Sequence, residues 1–313
     1  MVKKLVIRGT LAVVLLAVSF LGYNIFTSQR ADYSWDAAVP NPAFVATHPK
    51  VVIDQAHNNA STADWTSRYY PLAKLLRNDG YDVSKGIELF TPASLGDIDV
   101  LIIANASGAP KPQMFGINLP VSVAGKREDP AFGSSEIEAV RDWVNSGGSL
   151  LLIADHLPFG AANAAMGQAF GVKMYQGYVE IPNEVSDPLL FSSENGRLGN
   201  HPILSGTGTE SAVHRVMTFT GQSLDGPPEG IPLLILPDSA IEYVASGDTL
   251  APTRAGTTQG LALEYGQGRV VVLGEAAMMT AQVYDNKPFG MNLPDNDNRQ
   301  LALNILHWLS RKL

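Results

Sequence analysis

The sequence predicts an α/β domain built on a mainly parallel sheet with helices on both faces, preceded by a hydrophobic N-terminal helix. Three observations carry that expectation. Short apolar runs alternate with amphipathic stretches of helical period from residue 50 to the end. One of those runs, "DVLIIANA" (99–106), is apolar on both faces, as a strand covered by helices is. At the N-terminus, Lys3, Lys4 and Arg8 precede the apolar run Leu11–Phe26.

That run, "LAVVLLAVSFLGYNIF", has the order of an export signal: positive charge, then apolar core. It falls just short of the ~20 residues that span a bilayer, and Gly9 and Thr10 extend it. No clean small-residue cleavage site follows in "FTSQRADYS", so residues 1–26 are expected to stay as an anchor. The rest of the chain then lies outside the cytoplasm, in the periplasm or at the cell surface. The alternative is a cleaved signal peptide and a secreted body. Residues 27–48 carry Pro40 and Pro42 and little periodicity, and read as a linker to a domain over 49–313.

Within that domain "KVVIDQA" (50–56) is the first strand. "SRYYPLAKLLRNDG" follows as a helix with Tyr69, Leu72, Leu75 and Leu76 on one face and a stop at Gly80. "YDVSKG" is the second strand and "DVLIIANA" the third. The helix "SSEIEAVRDWVNSGG" carries a capping signature at Ser135 and Glu138, and "SLLLIADH" is the fourth strand. "PLLILPDS", "LALEYGQG" and "GRVVVLGEAA" are further strands, the first two antiparallel. "DNRQLALNILHWLSRKL" closes the chain as an amphipathic helix capped by Asp297 or Asn298. Between the third strand and its helix, residues 108–134 are rich in Gly and Pro, as lids and binding loops are. Their "MFGINLP" (114–120) is echoed by "PFGMNLP" (288–294).

Composition narrows the function. With 313 residues, 45% hydrophobic and 17% charged, the chain has ample material for a folded core. It contains no cysteine, hence no disulfide, thiolate ligand or thiol nucleophile. Its net charge of −8 becomes −11 once Lys3, Lys4 and Arg8 are set aside with residues 1–26. Such a body is no partner for nucleic acid.

In a parallel sheet the ligand crevice lies beyond the carboxyl ends of the strands. Polar residues accumulate there: Asp54, Gln55 and His57 after the first strand, Asn105 after the third, Asp155 and His156 after the fourth, Glu275 after the last.

Taken together, "VVIDQAHNN", "YYPLAKLLRNDGYDV", "DVLIIANA", "AVRDWVNSGGSLLLIADH", "GRVVVLGEAAMMTAQ" and "DNRQLALNILHWL" resemble the class I glutamine amidotransferase-like superfamily over residues 49–312. More narrowly they resemble its membrane-anchored members of unknown function. The resemblance implies a flavodoxin-like three-layer sandwich. It also implies a sharp turn after "SLLLIAD", where true amidotransferases carry a nucleophilic cysteine. Here that turn holds His156, so glutamine hydrolysis through a thioester is excluded.

Other chemistries compete for the same residues. The nearest Gly-x-Ser-x-Gly, "GQSLD" (221–225), fails at its last position, and no phosphate-cradling Gly-Lys-Ser/Thr occurs. His57, His156 and Glu275 form the candidate catalytic set: an imidazole beside a carboxylate is a workable general base. The same three are the candidate ligands of a divalent cation, zinc first. Asp54, Asn58, Asn105 and Asp155 are the candidate ligand contacts. Against both stands the plainer reading that Asp54 and Asp155 fix turns and a histidine bonds a neighbour. "DNDN" (295–298) lacks the glycine and glutamate of a calcium loop and reads as a helix cap. His201, before a proline, reads as a turn residue, and neither it nor His214 reads as catalytic.

Three functions fit. One is a non-catalytic domain binding a small molecule, sugar or peptide, with Trp65, Tyr69, Tyr70, Phe115, Phe159 and Phe289 near the crevice for stacking. Another is a hydrolase using the Asp/His/Glu cluster, with or without metal. The last is a subunit of an envelope assembly.

Overall fold

The computed structural model describes residues 29–108, 129–185, 187–247 and 249–313, with the backbone of 113–114 and 117–118. The expected anchor and most of the 108–134 loop lie outside the described residues. Among the described residues no helix is long and apolar enough to cross a membrane.

The main sheet has nine strands among the described residues. In chain order they are β1 (Lys50–Asp54), β2 (Asp82–Gly86), β3 (Val100–Ala104), β4 (Ser149–Ile153), β5 (Lys173–Met174), β6 (Leu224–Asp225), β7 (Ile231–Ile235), β8 (Thr258–Tyr265) and β9 (Gly268–Leu273). Their spatial order is β2-β1-β3-β4-β9-β8-β6-β5, with β7 also on β8. The first five in that order are parallel, in registers such as Val51↔Val100, Leu101↔Leu150 and Val271↔Leu151. The remaining pairings are antiparallel. The strands after residues 50, 99, 149 and 268 are therefore neighbours in one sheet, as the alternation of elements predicts.

The period-2 alternation of these strands sorts their side chains into two cores. Val51, Ile53, Ile102, Leu151, Ile153, Val271 and Leu273 face one layer. There they meet α1 (Tyr70–Asn78) through Leu72, Leu75 and Leu76, and α4 (Asn298–Leu309) through Leu301, Ile305 and Leu306. Leu101, Ile103, Leu150, Leu152, Val270 and Val272 face the other. That layer holds Val140 and Val144 of α2 (Ser134–Asn145) and Met166 of α3 (Phe159–Gln168). Gly80 ends α1 at φ +95°, and a Cβ there would collide with the carbonyl of Phe44.

Local signals departed from expectation in three places. The cap of α2 is formed two residues earlier than Ser135 and Glu138. Gly133 is the N-cap, and Glu136 Oε2 accepts its N–H at 3.0 Å. Asp297 stands at the N-cap of α4, yet its carboxylate accepts from His214 N and Arg215 N on another segment. The stretch expected as a linker is docked on the domain. Arg30–Ala31 pairs with Ala281–Tyr284, which pairs in turn with Lys287–Gly290. Ala37 and Phe44 are buried, and Ala43 N donates to Asp79 Oδ1 at 2.8 Å. Irregular backbone makes this contact, so no periodicity announces it. The stretch 114–120, echoed at 288–294, lies largely outside the described residues.

Candidate functional site

A crevice of about 400 Å³ opens beyond the carboxyl ends of β3, β4 and β9. The connections leaving those strands supply Asn105, Asp155, His156, Ala276 and Ala277 to it, and the first residue of α3 supplies Phe159. Ser61 and Arg68 come from the β1–α1 connection. Gln282, Tyr284 and Phe289 come from the small sheet that holds the N-terminal segment, and Gln29 from that segment itself. Phe219 closes one wall, its ring 4.1 Å from that of Phe289.

Three of the expected residues meet here. Asn105 takes the left-handed φ of +49° immediately after β3. Its Oδ1 accepts from Asp155 N at 2.9 Å and its carbonyl accepts from Ala60 N, so one residue ties together three connections. The Asp155 side chain is only 13% exposed. Burial holds its carboxyl above the ordinary range, opposed by His156 and by the backbone N–H that His156 donates to Oδ1 at 2.8 Å. His156 is the open member, its side chain 44% exposed. Its Nδ1 lies 2.8 Å from the carbonyl of Leu157, which only an N–H can satisfy. Nδ1 therefore carries a hydrogen, and Nε2 stands 4.0 Å from Asp155 Oδ1. Gln282 adds a buried amide whose Oε1 meets no partner among the described residues.

His57 and Glu275 are not among the crevice residues. His57 is buried between the rings of Phe90 (4.6 Å) and Phe132 (4.7 Å), in the core shared with α2. Its Nδ1 reaches both Asp54 oxygens at 3.0 and 2.9 Å, and Nε2 reaches Glu136 Oε1 at 2.8 Å. Burial works against a charge on this ring. The hydrogen bonds and charges of Asp54 and Glu136 outweigh it, and the imidazole titrates above its usual range. Both nitrogens are thus committed to carboxylates, which leaves none for a ligand. Asp54 also accepts from Ala56 N and Asn59 Nδ2. Asn58 sits beside this cluster at φ +52°, half-buried and away from the crevice.

Glu275 is fully buried. Its two oxygens accept from Ala277 N at 2.6 Å and Met278 N at 2.7 Å, fixing the turn after β9. Burial, then the nearby charge of Asp155, keeps its carboxyl well above the ordinary range. The expected trio is therefore split between a buried strut (His57), the crevice (His156) and a turn (Glu275). Among the described residues, no three histidine or carboxylate side chains come together so as to hold a metal ion.

Sequence reasoning did not pick out Glu136, Asn59, Arg68, Phe219 and Gln282. Glu136 lies 79 residues from His57, and nothing local signals that pairing. Asn59 could have been found as readily as Asn58, since both close the same short motif.

No family model matches the sequence, and no curated protein does. Among solved structures, the mmIFT52 N-terminal domain superposes with a TM-score of 0.56 at 14% identity, covering 83% of this chain and 97% of that one. The likeness is one of fold. A ThuA-like protein of Bacteroides uniformis covers 89% of this chain and 95% of its own, at 12% identity and a TM-score of 0.43. A GMP synthase component from Thermoplasma acidophilum covers 86% and 97%, also at 12% and 0.43. At 14% identity the first of these describes an architecture and says nothing of a ligand.

Proposed function

We propose that this chain is a membrane-anchored, extracytoplasmic ligand-binding domain of amidotransferase-like fold, whose crevice takes a small polar ligand of sugar or peptide type. The crevice itself carries the reading. It pairs an aromatic wall (Phe159, Phe219, Phe289) with convergent polar groups: His156 Nε2, the Asp155 carboxyl, Arg68 and the unpartnered Gln282 Oε1. A concave site that sets aromatic rings beside many hydrogen-bonding groups suits a small polar ligand. The fully committed nitrogens of His57 speak for binding without turnover, because they remove the better-shielded base from the chemistry.

Calorimetric titration of the full chain in detergent micelles, with a panel of oligosaccharides and short peptides, tests this. Saturable binding by one class is expected, weakened about two- to tenfold in Phe219→Ala, since one lost aromatic contact is worth roughly 0.5–1.5 kcal/mol beyond its area. Absence of binding from either class would overturn it.

A hydrolase is the second reading, favoured by one observation. Asp155 is a carboxyl of raised affinity for its proton beside a half-exposed imidazole. Cleavage of a bound sugar or peptide by the wild type, abolished in Asp155→Asn, would select it over simple binding.

A further inference from the structure

The N-terminal segment enters the fold at the mouth of the crevice. Gln29, the first described residue, lines that crevice, and its Oε1 accepts from Arg68 Nη1 at 2.8 Å. The next two residues pair with Val283 and Gln282, on the strand that forms one crevice wall. Around this point of entry stand large exposed aromatics. Trp65 is 70% exposed, and Tyr33 and Tyr284 are each 50% exposed. Tyr33 donates its hydroxyl to the carbonyl of Trp65, and its ring lies 6.5 Å from that of Trp65 and 6.0 Å from that of Tyr70. Tyr284 lines the crevice beside Gln29.

We propose that the mouth of the crevice faces the lipid bilayer, with Tyr33, Trp65 and Tyr284 lying in its interfacial layer, so that ligands reach the crevice from the membrane surface. This rests on the reading of residues 1–26 as an anchor. Distance decides the geometry. An apolar span ending at Phe26 leaves three residues to Gln29, at most about 10 Å of chain. The headgroup region on one side of a bilayer is itself about 5–7 Å deep. A docked Gln29 therefore cannot stand far above the headgroups, and the surface around it is held against them.

The residues there suit that position. Trp and Tyr concentrate at membrane interfaces because one end of the ring system is apolar and the other can meet water. Charges of both signs border these rings. Asp64 is engaged by Lys85, Asp32 accepts from Ser34 and Asn292, and Asp155, Asp187 and Arg68 lie within the crevice, while Asp36, Asp285 and Lys287 are exposed beside Tyr33 and Tyr284 in sequence. A ligand carried on a lipid, such as a lipid-linked sugar, would arrive at this opening without crossing bulk solvent.

The test uses the full chain reconstituted into phosphatidylcholine–phosphatidylglycerol vesicles, with tryptophan fluorescence as the readout. Trp65 should be quenched by lipids brominated near the headgroup and shielded from aqueous iodide, and Trp65→Phe should remove that lipid-quenched component. Trp65 is exposed, so its replacement is expected to leave the melting temperature unchanged. Retention of the chain through alkaline carbonate extraction, with Trp65 open to iodide and untouched by brominated lipid, would overturn the orientation and leave the anchor standing. Release of the chain by carbonate would overturn both.

Discussion

Replacing His57 with leucine should cost stability before it costs function. The substitution keeps an apolar side chain between Phe90 and Phe132 but strips Asp54 and Glu136 of the ring that bridges them. Removing one partner of a buried ion pair costs about 3–5 kcal/mol, because a charge is left uncompensated. The low end applies here. Asp54 keeps Ala56 N and Asn59 Nδ2, and Glu136 keeps Gly133 N and Phe90 N. For a chain of this size about 3 kcal/mol corresponds to a fall of roughly 6 °C in Tm. Thermal scans of wild type and His57→Leu at one fixed rate measure it. The pH dependence adds a second readout. The ring titrates higher in the folded state, so its contribution is complete below about pH 6.5 and is lost as pH rises through the folded value. Glu136 is held below its usual range. Burial pushes it up, but Gly133 N, His57 and Phe90 N outweigh that, so its contribution is lost only as pH falls through the depressed value. The wild type is expected to decline in stability on the alkaline side, and the variant to lose that decline. An unchanged Tm together with abolished ligand binding would refute the reasoning and return His57 to the site.

Four further outcomes follow from the same geometry. His156→Ala should weaken ligand binding at least tenfold while Tm stays within about 1 °C, since the side chain is 44% exposed and its loss leaves no cavity; titration and a thermal scan on one preparation check both. Glu275→Ala leaves the N–H groups of Ala277 and Met278 without their acceptor, at about 1–3 kcal/mol each, so Tm should drop and Glu275→Gln should recover part of it. Gly80→Ala should rank among the most damaging single changes, because the left-handed φ and the Phe44 carbonyl both oppose a Cβ; soluble yield and Tm near wild type would contradict this. Asp79→Ala should free Ala43 N and the His307 contact on α4 while Phe44 N keeps the carbonyl of residue 79, visible as faster proteolytic cutting before residue 48.

The parallel half of the fold was legible because it is made of repeated, local signals. Val51, Ile53, Leu101, Leu151 and Val271 sit in runs whose length and apolarity admit little but a covered strand, and the helices between them carry a clear 3.6-residue stripe. The antiparallel half was partly legible. β7 and β8 showed as strands, while β5 and β6 have two residues each and leave no pattern to read. The strand-end rule brought Asn105, Asp155 and His156 together, and all three line one crevice. It failed for His57 because the rule gives the end of the sheet at which a residue emerges, not the side chain that will meet it there. Glu136, delivered by the first turn of α2, captured the ring from a distance in sequence. Glu275 was misread for a related reason. A carboxylate just after a strand serves a turn as readily as a ligand, and only the positions of Ala277 N and Met278 N tell the two apart.

The place of β9 in the sheet governs how the chain can fold. This strand, residues 268–273, lies between β4 and β8, and its partner α4 fills the same core layer as α1. Until those last segments exist, Leu151 and Ile153 have no neighbour on one side, and Leu72 and Leu76 share their layer with nothing at its far end. Pairings between residues more than a hundred positions apart are slow to close and reward the chain only when complete. A nascent chain of this topology therefore completes its main sheet only once β9 and α4 have emerged, and until then β4 stands with one edge unpaired.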